Sequence, residues 1–171
     1  FYQGENVTAS LPPGTIQEIP VYDAREGKFV PTTRVNVELL NDSGFFPENG
    51  LVYAYRAEAD ADSPQGILLT KGSRLRGALT FVSPDPVYVQ GDYNTRDKKP
   101  AAVISDAVNL LSNAWDNSKS PNSGFPRAED TSYNFALITG NSDTTPGVYN
   151  GGFENLPRFH ENWSGVRARI R

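Results

Sequence analysis

Apolar and polar positions alternate with a period of two along most of the chain, the pattern of half-buried strands. Ile16, Ile19, Val21 and Tyr22 form a first apolar segment, and Ala24-Arg25-Glu26-Gly27-Lys28 reads as a turn. Phe29 then leads into Val35, Val37 and Leu39, which share one strand face. Asn41-Asp42-Ser43-Gly44 and Pro47-Glu48-Asn49-Gly50 break the pattern, and Leu51-Val52-Tyr53-Ala54-Tyr55 is a strongly β-prone run. A regular stretch follows. Ile67–Thr70 closes at Lys71-Gly72-Ser73, Ala78–Val82 at Ser83-Pro84-Asp85-Pro86, and Val87–Gln90 at Gly91-Asp92. Strands of four or five residues between tight corners suit the rungs of a stacked coil, in which hydrogen bonds run along the axis. The fold expected is mainly β: a β-solenoid of the right-handed β-helix type with long loops, with a small β-barrel or sandwich as the alternative.

Two segments carry mixed signals. In Pro100–Trp115, Ile104, Val108, Leu111 and Trp115 follow helical spacing, whereas Val103-Ile104 and Val108–Leu111 flank Ser105-Asp106 as two short β-prone runs. In the other, Phe153, Leu156, Phe159 and Trp163 fall on one face of a short C-terminal helix despite Pro157. Residues 112–134 read as a Ser/Asn/Pro/Gly-rich loop. The expected organisation is one domain over residues 1–171. It comprises an N-terminal β segment (1–48), stacked short strands (49–140) and a C-terminal loop, helix and strand (141–171).

Composition narrows the chemistry. The chain has 171 residues and a formal net charge of −4, from 16 basic and 20 acidic side chains. That balance argues against a nucleic-acid surface. With no cysteine, zinc–thiolate sites, iron–sulfur clusters and cysteine nucleophiles are excluded. A single histidine, His160, excludes histidine-pair metal sites, and no Gly-x-Ser-x-Gly elbow accompanies it. Glu58, Asp60 and Asp62 alternate like ligands of a hard cation. Ser63 stands where a calcium loop turns on glycine and Leu69 where it places its bidentate glutamate, so a solvated acidic loop is the better reading. Tyr53, Tyr55, Tyr88 and Tyr93 could offer platforms to sugar rings. No enzyme activity, metal or cofactor is expected. No apolar run approaches the ~20 residues of a membrane span. The start at Phe1, without an initiator methionine, and the strand-like Val166–Arg171 suggest a trimmed or excised piece.

Four stretches carry a resemblance. They are Asn49–Arg56; Leu79–Asn94, with Ser83-Pro84-Asp85-Pro86 and Gly91-Asp92; Pro100–Ser112; and Gly151–Trp163. Together, over roughly residues 20–165, they resemble the C-terminal part of bacterial pilin-like exoproteins, the hormogonium polysaccharide biosynthesis and type IV pilus-associated group. The resemblance implies an exported protein with a pilin-like N-terminal membrane segment, at the cell surface or outside it, associated with pili or secreted polysaccharide. It implies no catalytic residues, and it tips Pro100–Trp115 toward strand. Within the matched stretches Gly91, Asp92, Asn94, Asp106, Phe153, Phe159 and Trp163 are expected to be structural. The expected function is a non-catalytic structural or assembly module of a fibre-forming surface protein, with a polysaccharide-binding module as the alternative. Arg167, Arg169 and Arg171 alternate, so a strand presents all three on one face. That basic strip is expected to meet Glu58, Asp60 and Asp62 of a neighbour, through self-association or on a pilus-like partner.

Overall fold

The computed structural model describes residues 1–24, 26–59, 63–117, 125–140 and 156–171. In chain order the strands are β1 (Ile16–Asp23), β2 (Lys28–Asn36), β3 (Leu51–Tyr53), β4 (Gly66–Thr70), β5 (Leu79–Val82) and β6 (Val87–Gln90). They continue with β7 (Ala101–Ser105), β8 (Val108–Leu111), β9 (Thr131–Tyr133), β10 (Ala136–Thr139), β11 (Arg158–Phe159) and β12 (Ala168–Ile170). One short α-helix, α1 (Val37–Asp42), follows β2, and Thr8–Ser10 forms a 3-10 turn. The protein is mainly β. Among the described residues no helix is long and apolar enough to cross a membrane.

The strands form a six-stranded sheet in the order β1-β2-β4-β6-β8-β11, a four-stranded sheet β10-β7-β5-β3, and the pair β12-β9. Only β1 and β2 pair antiparallel, as a hairpin; the other paired strands run parallel. From β2 to β8 the chain alternates between the two larger sheets, whose inner faces enclose the main core in a sandwich-like arrangement. Ile67 stands opposite Val87 and Val87 opposite Val108, steps of 20 and 21 residues, and Leu79 stands opposite Ala101, a step of 22. Isolated parallel bridges pair Arg74 with Arg96 and Tyr93 with Tyr133.

Parallel strands covered on both faces need apolar residues throughout rather than strict alternation, and β4 and β8 are buried along their whole length. Ile67, Leu69, Val87, Val89, Val108 and Leu110 point inward against Leu79, Phe81 and Val103. Leu68, Tyr88 and Leu111 form a second cluster with Val21 and Trp115. Val21 comes from the far half of the β1–β2 hairpin, which runs past the start of β4 and folds over the sheet. Close packing at the corners constrains side chains strictly. A Cβ on Gly72 would lie 2.4 Å from the buried Tyr93 ring.

Three expectations are corrected. Thr131–Tyr133, read as the end of a loop, form β9, because β12 offers this short run a parallel partner. Val37 and Leu39 lie in α1 rather than on a strand, because Asn36 caps the helix by accepting from the Leu39 N–H at 3.2 Å and Glu38 sits in its positive first turn. The short C-terminal helix is replaced by β11: Arg158 and Phe159 pair with Asn109 and Leu110 of β8, and Phe159 and Leu156 are exposed. A buried sheet edge offers these residues more backbone pairing than a helix broken by Pro157 would. Trp163 packs on the main core and touches Phe159 edge to face at 5.5 Å, whereas Phe153 lies outside the described residues. Pro100–Trp115 supplies β7 and β8, as the resemblance implied.

Candidate functional site

The two larger sheets end unequally. Beyond β2 the six-stranded sheet gains β1, whereas β3, which follows β2 in the chain, is an edge of its own sheet. Among the described residues no strand occupies the position facing β1. A cleft of about 550 Å³ lies there, walled by Ile16 of β1, Thr33 and Val35 of β2, Leu51–Ala54, Phe81 and the N-terminal segment with Phe1, Val7 and Leu11. Glu48 is the one charged side chain among the described residues that line it.

Backbone directions follow from the hydrogen bonds to β5. Gly50 C=O accepts from Thr80 N–H and Ala54 N–H donates to Val82 C=O, so Gly50, Val52 and Ala54 turn their amides toward β5. Alternation then aims the amides of Leu51 and Tyr53 at the open side. Asn49 Oδ1 accepts from Leu51 N–H at 3.0 Å, which leaves Leu51 C=O and the Tyr53 amide for a further strand. Val52 and Ala54 face the core, while Leu51 (49% exposed), Tyr53 (62%) and Tyr55 (61%) face solvent. The Tyr53 and Tyr55 rings lie 6.0 Å apart, tilted by 41°. Leu51, Tyr53 and Tyr55 thus form an exposed aliphatic and aromatic edge.

Arg56 rigidifies the end of this edge. Its side chain, mostly buried, donates to Gln65 Oε1 and Thr33 Oγ1, each at 2.7 Å, and to Glu58 at 2.6 Å, and it also binds Glu18. Its backbone N–H donates to Asp85 at 2.6 Å. Burial alone would raise the Glu18 carboxyl, but its bonds from Arg56 and Thr33 outweigh that and hold it below the usual range. Burial pushes Asp85 upward, and the Arg56 N–H offsets this only in part.

The single histidine lies in a sealed network on the outer side of the six-stranded sheet. His160 follows β11 and is 1% exposed. Ala24 N–H can only donate, and it reaches Nδ1 at 3.1 Å, so the neutral ring carries its proton on Nε2, 2.8 Å from Asn109 Oδ1. Tyr88 donates to Asp23 Oδ2 at 2.6 Å. Burial, then the adjacent Asp23 charge, pushes the Tyr88 hydroxyl well above its usual range. Next to it, Glu161 accepts from Ser112 N–H at 2.5 Å and from Ser112 Oγ at 2.6 Å. These groups tie the hairpin tip and β11 to the sheet. His160, Asp23, Tyr88, Asn109, Ser112 and Glu161 are all buried.

The predicted interaction residues are scattered. Glu58 is held by Arg56, and Asp60 and Asp62 lie outside the described residues. On β12, Arg169 pairs within its own chain with Asp130 at 3.2 Å, and Asp130 also accepts from Arg167 N–H at 2.9 Å. The Arg167 N–H, with further help from Arg169, holds the Asp130 carboxyl below the usual range. Arg167 and Arg171 are exposed. Of the four tyrosines considered as sugar platforms, Tyr88 and Tyr93 are core residues and only Tyr53 and Tyr55 are open. The corner residues do structural work. Gly91 has φ +77°, and Asp92 Oδ1 accepts from Ser132 N–H at 2.8 Å. Asn94 bonds both backbone groups of Lys99 and the Asn134 carbonyl. The Asp106 carbonyl accepts from Gly140 N–H at 3.0 Å. Sequence reasoning missed Arg56 and the openness of β3; only the aromatic content of Leu51–Tyr55 hinted at the latter.

Family models, curated proteins and solved structures yield no match to this chain.

Proposed function

We propose that this chain is a non-catalytic assembly module of an extracellular, pilus-associated or fibre-forming surface protein, and that its strands wind as a short β-solenoid. Support for the winding comes from parallel strands that alternate between sheets at steps of 20, 21 and 22 residues. The observation that carries the functional reading is the open β3 edge beside an apolar cleft. An unpaired, solvent-facing strand edge is a template for another chain, and monomeric proteins normally cover or charge such edges. Sedimentation velocity of the purified chain at tens of micromolar tests this. Species that grow with concentration are expected; a monomer at every concentration, with no filaments in micrographs of the native source, refutes it.

A second reading, polysaccharide binding, is favoured by the exposed Tyr53–Tyr55 pair. Affinity electrophoresis in the producer's own exopolysaccharide separates the two. Retardation that Tyr55→Ala abolishes supports glycan binding, and unchanged mobility removes it.

A further inference from the structure

We propose that the slot beside β3 accepts a strand from a second copy of this chain, and that this strand is β12, lying parallel to β3 with Ala168 opposite Val52. The inference rests on the assembly reading and names its contact.

Hydrogen bonding matches the two edges. In the β9–β12 pair, Thr131 N–H donates to Arg167 C=O and Arg171 N–H donates to Tyr133 C=O, so Arg167, Arg169 and Arg171 turn their amides toward β9. Ala168 and Ile170 therefore turn theirs to the outer edge, where no described strand pairs. In a parallel ladder a residue aimed at its neighbour bonds the two residues flanking its opposite number. Ala168 opposite Val52 uses Leu51 C=O and Tyr53 N–H, the groups that Asn49 leaves free. Ile170 opposite Ala54 extends the ladder by one repeat.

The same register sorts the side chains. Opposite residues in a parallel pair share a face, and Val52, Ala54 and Ala168 already pack against the main core of their own chain. Ile170 lies on the Ala168 face of β12 yet is 42% exposed. Seated in the cleft, it is buried. On the outer face Arg167, Arg169 and Arg171 fall opposite Leu51, Tyr53 and Tyr55, so the arginine stems cover apolar surface and the guanidinium groups reach the tyrosine faces. Shifting the strand by one residue would drive the arginines into the apolar cleft. Arg169 keeps its Asp130 bond, since β12 stays in its own sheet. Because β3 of one copy meets β12 of the next, the contact is head-to-tail and does not close on itself unless a ring forms.

The absence of native cysteine makes the register directly testable. A Tyr53→Cys chain mixed with an Arg169→Cys chain is treated with a short thiol-reactive cross-linker, and Ile138→Cys on the β10 edge replaces Tyr53→Cys as control. A cross-linked heterodimer at least tenfold more abundant for Tyr53 with Arg169 than for the control is expected. In parallel, Tyr53→Asp, at an exposed site that leaves the melt unchanged, weakens self-association at least tenfold in sedimentation. Self-association that persists in Tyr53→Asp, with equal cross-linking to the control, overturns the β12–β3 contact and leaves the assembly reading standing. A wild-type chain that stays monomeric overturns both.

Discussion

Replacing His160 by alanine probes a buried polar contact that joins the hairpin tip to β8. The substitution removes the acceptor of Ala24 N–H and the donor to Asn109 Oδ1, both in a sealed site. A buried polar group left without a partner costs about 1–3 kcal/mol, so two give ~2–6 kcal/mol before any cavity term. The lost ring also leaves a void against Tyr88, whose ring centroid is 5.9 Å away, and large-to-small core changes of this size cost ~3–5 kcal/mol. These contributions overlap, and about 4–6 kcal/mol is the expected total, a large share of the ~5–15 kcal/mol that stabilises a typical domain. Urea unfolding followed by tryptophan fluorescence measures it. Two further variants separate the bonds. His160→Asn places an oxygen near the Nδ1 position and keeps the Ala24 contact, and His160→Gln places an amide N–H near Nε2 and keeps the Asn109 contact. Each is expected to recover part of the loss, and His160→Gln should recover nothing in an Asn109→Ala background. A His160→Ala loss below about 1 kcal/mol, or equal behaviour of the Gln variant in both backgrounds, would refute the assigned tautomer and the clamp.

Three other outcomes are expected. Gly72→Ala forces a Cβ against the Tyr93 ring and should cost about 1–3 kcal/mol by overpacking, read as a lower urea midpoint. Trp163→Ala, with the indole half-buried on the core, should cost about 3 kcal/mol; an unchanged midpoint would mean that its contact with the core contributes nothing. The lowered Asp130 carboxyl stabilises β12 above the ordinary value of 3.8, and that contribution is lost as pH falls through the lower folded value. Amide exchange at Arg167 and Arg169 should therefore accelerate at acid pH relative to Val103, and Asp130→Asn should flatten that dependence.

Much of the architecture was legible locally. Period-two runs between Gly, Pro, Asn and Asp corners located β4 to β6 closely, because a strand's alternation and its bounding turns are properties of neighbouring residues; β7 and β8 also carried helical spacing, and only the resemblance tipped them toward strand. The same local rule failed at Val37 and Leu39. Their alternation continues that of β2, but Asn36 caps a helix there and its first turn packs Val37 into the core. It failed again at Phe159, whose helical spacing lost to the open edge of β8, a partner 49 residues away in register. The site was less legible still. Tyr53 and Tyr88 belong to equally β-prone runs, and only pairing decides between them: β6 lies between β4 and β8, whereas β3 ends its sheet.

From the sequence alone came the β class, the strand lengths, the corner residues, the alternation of Arg167, Arg169 and Arg171, and the exclusion of cysteine chemistry. Tertiary structure alone decided which strand is an edge, which aromatics are exposed, and that His160 joins Ala24 and Asn109 across 136 and 51 residues. The reason is physical. Alternation states which side of a strand is apolar, but a sheet's neighbours are chosen by long-range pairing, whose hydrogen bonds and burial outweigh the loop-closure entropy of bringing distant segments together.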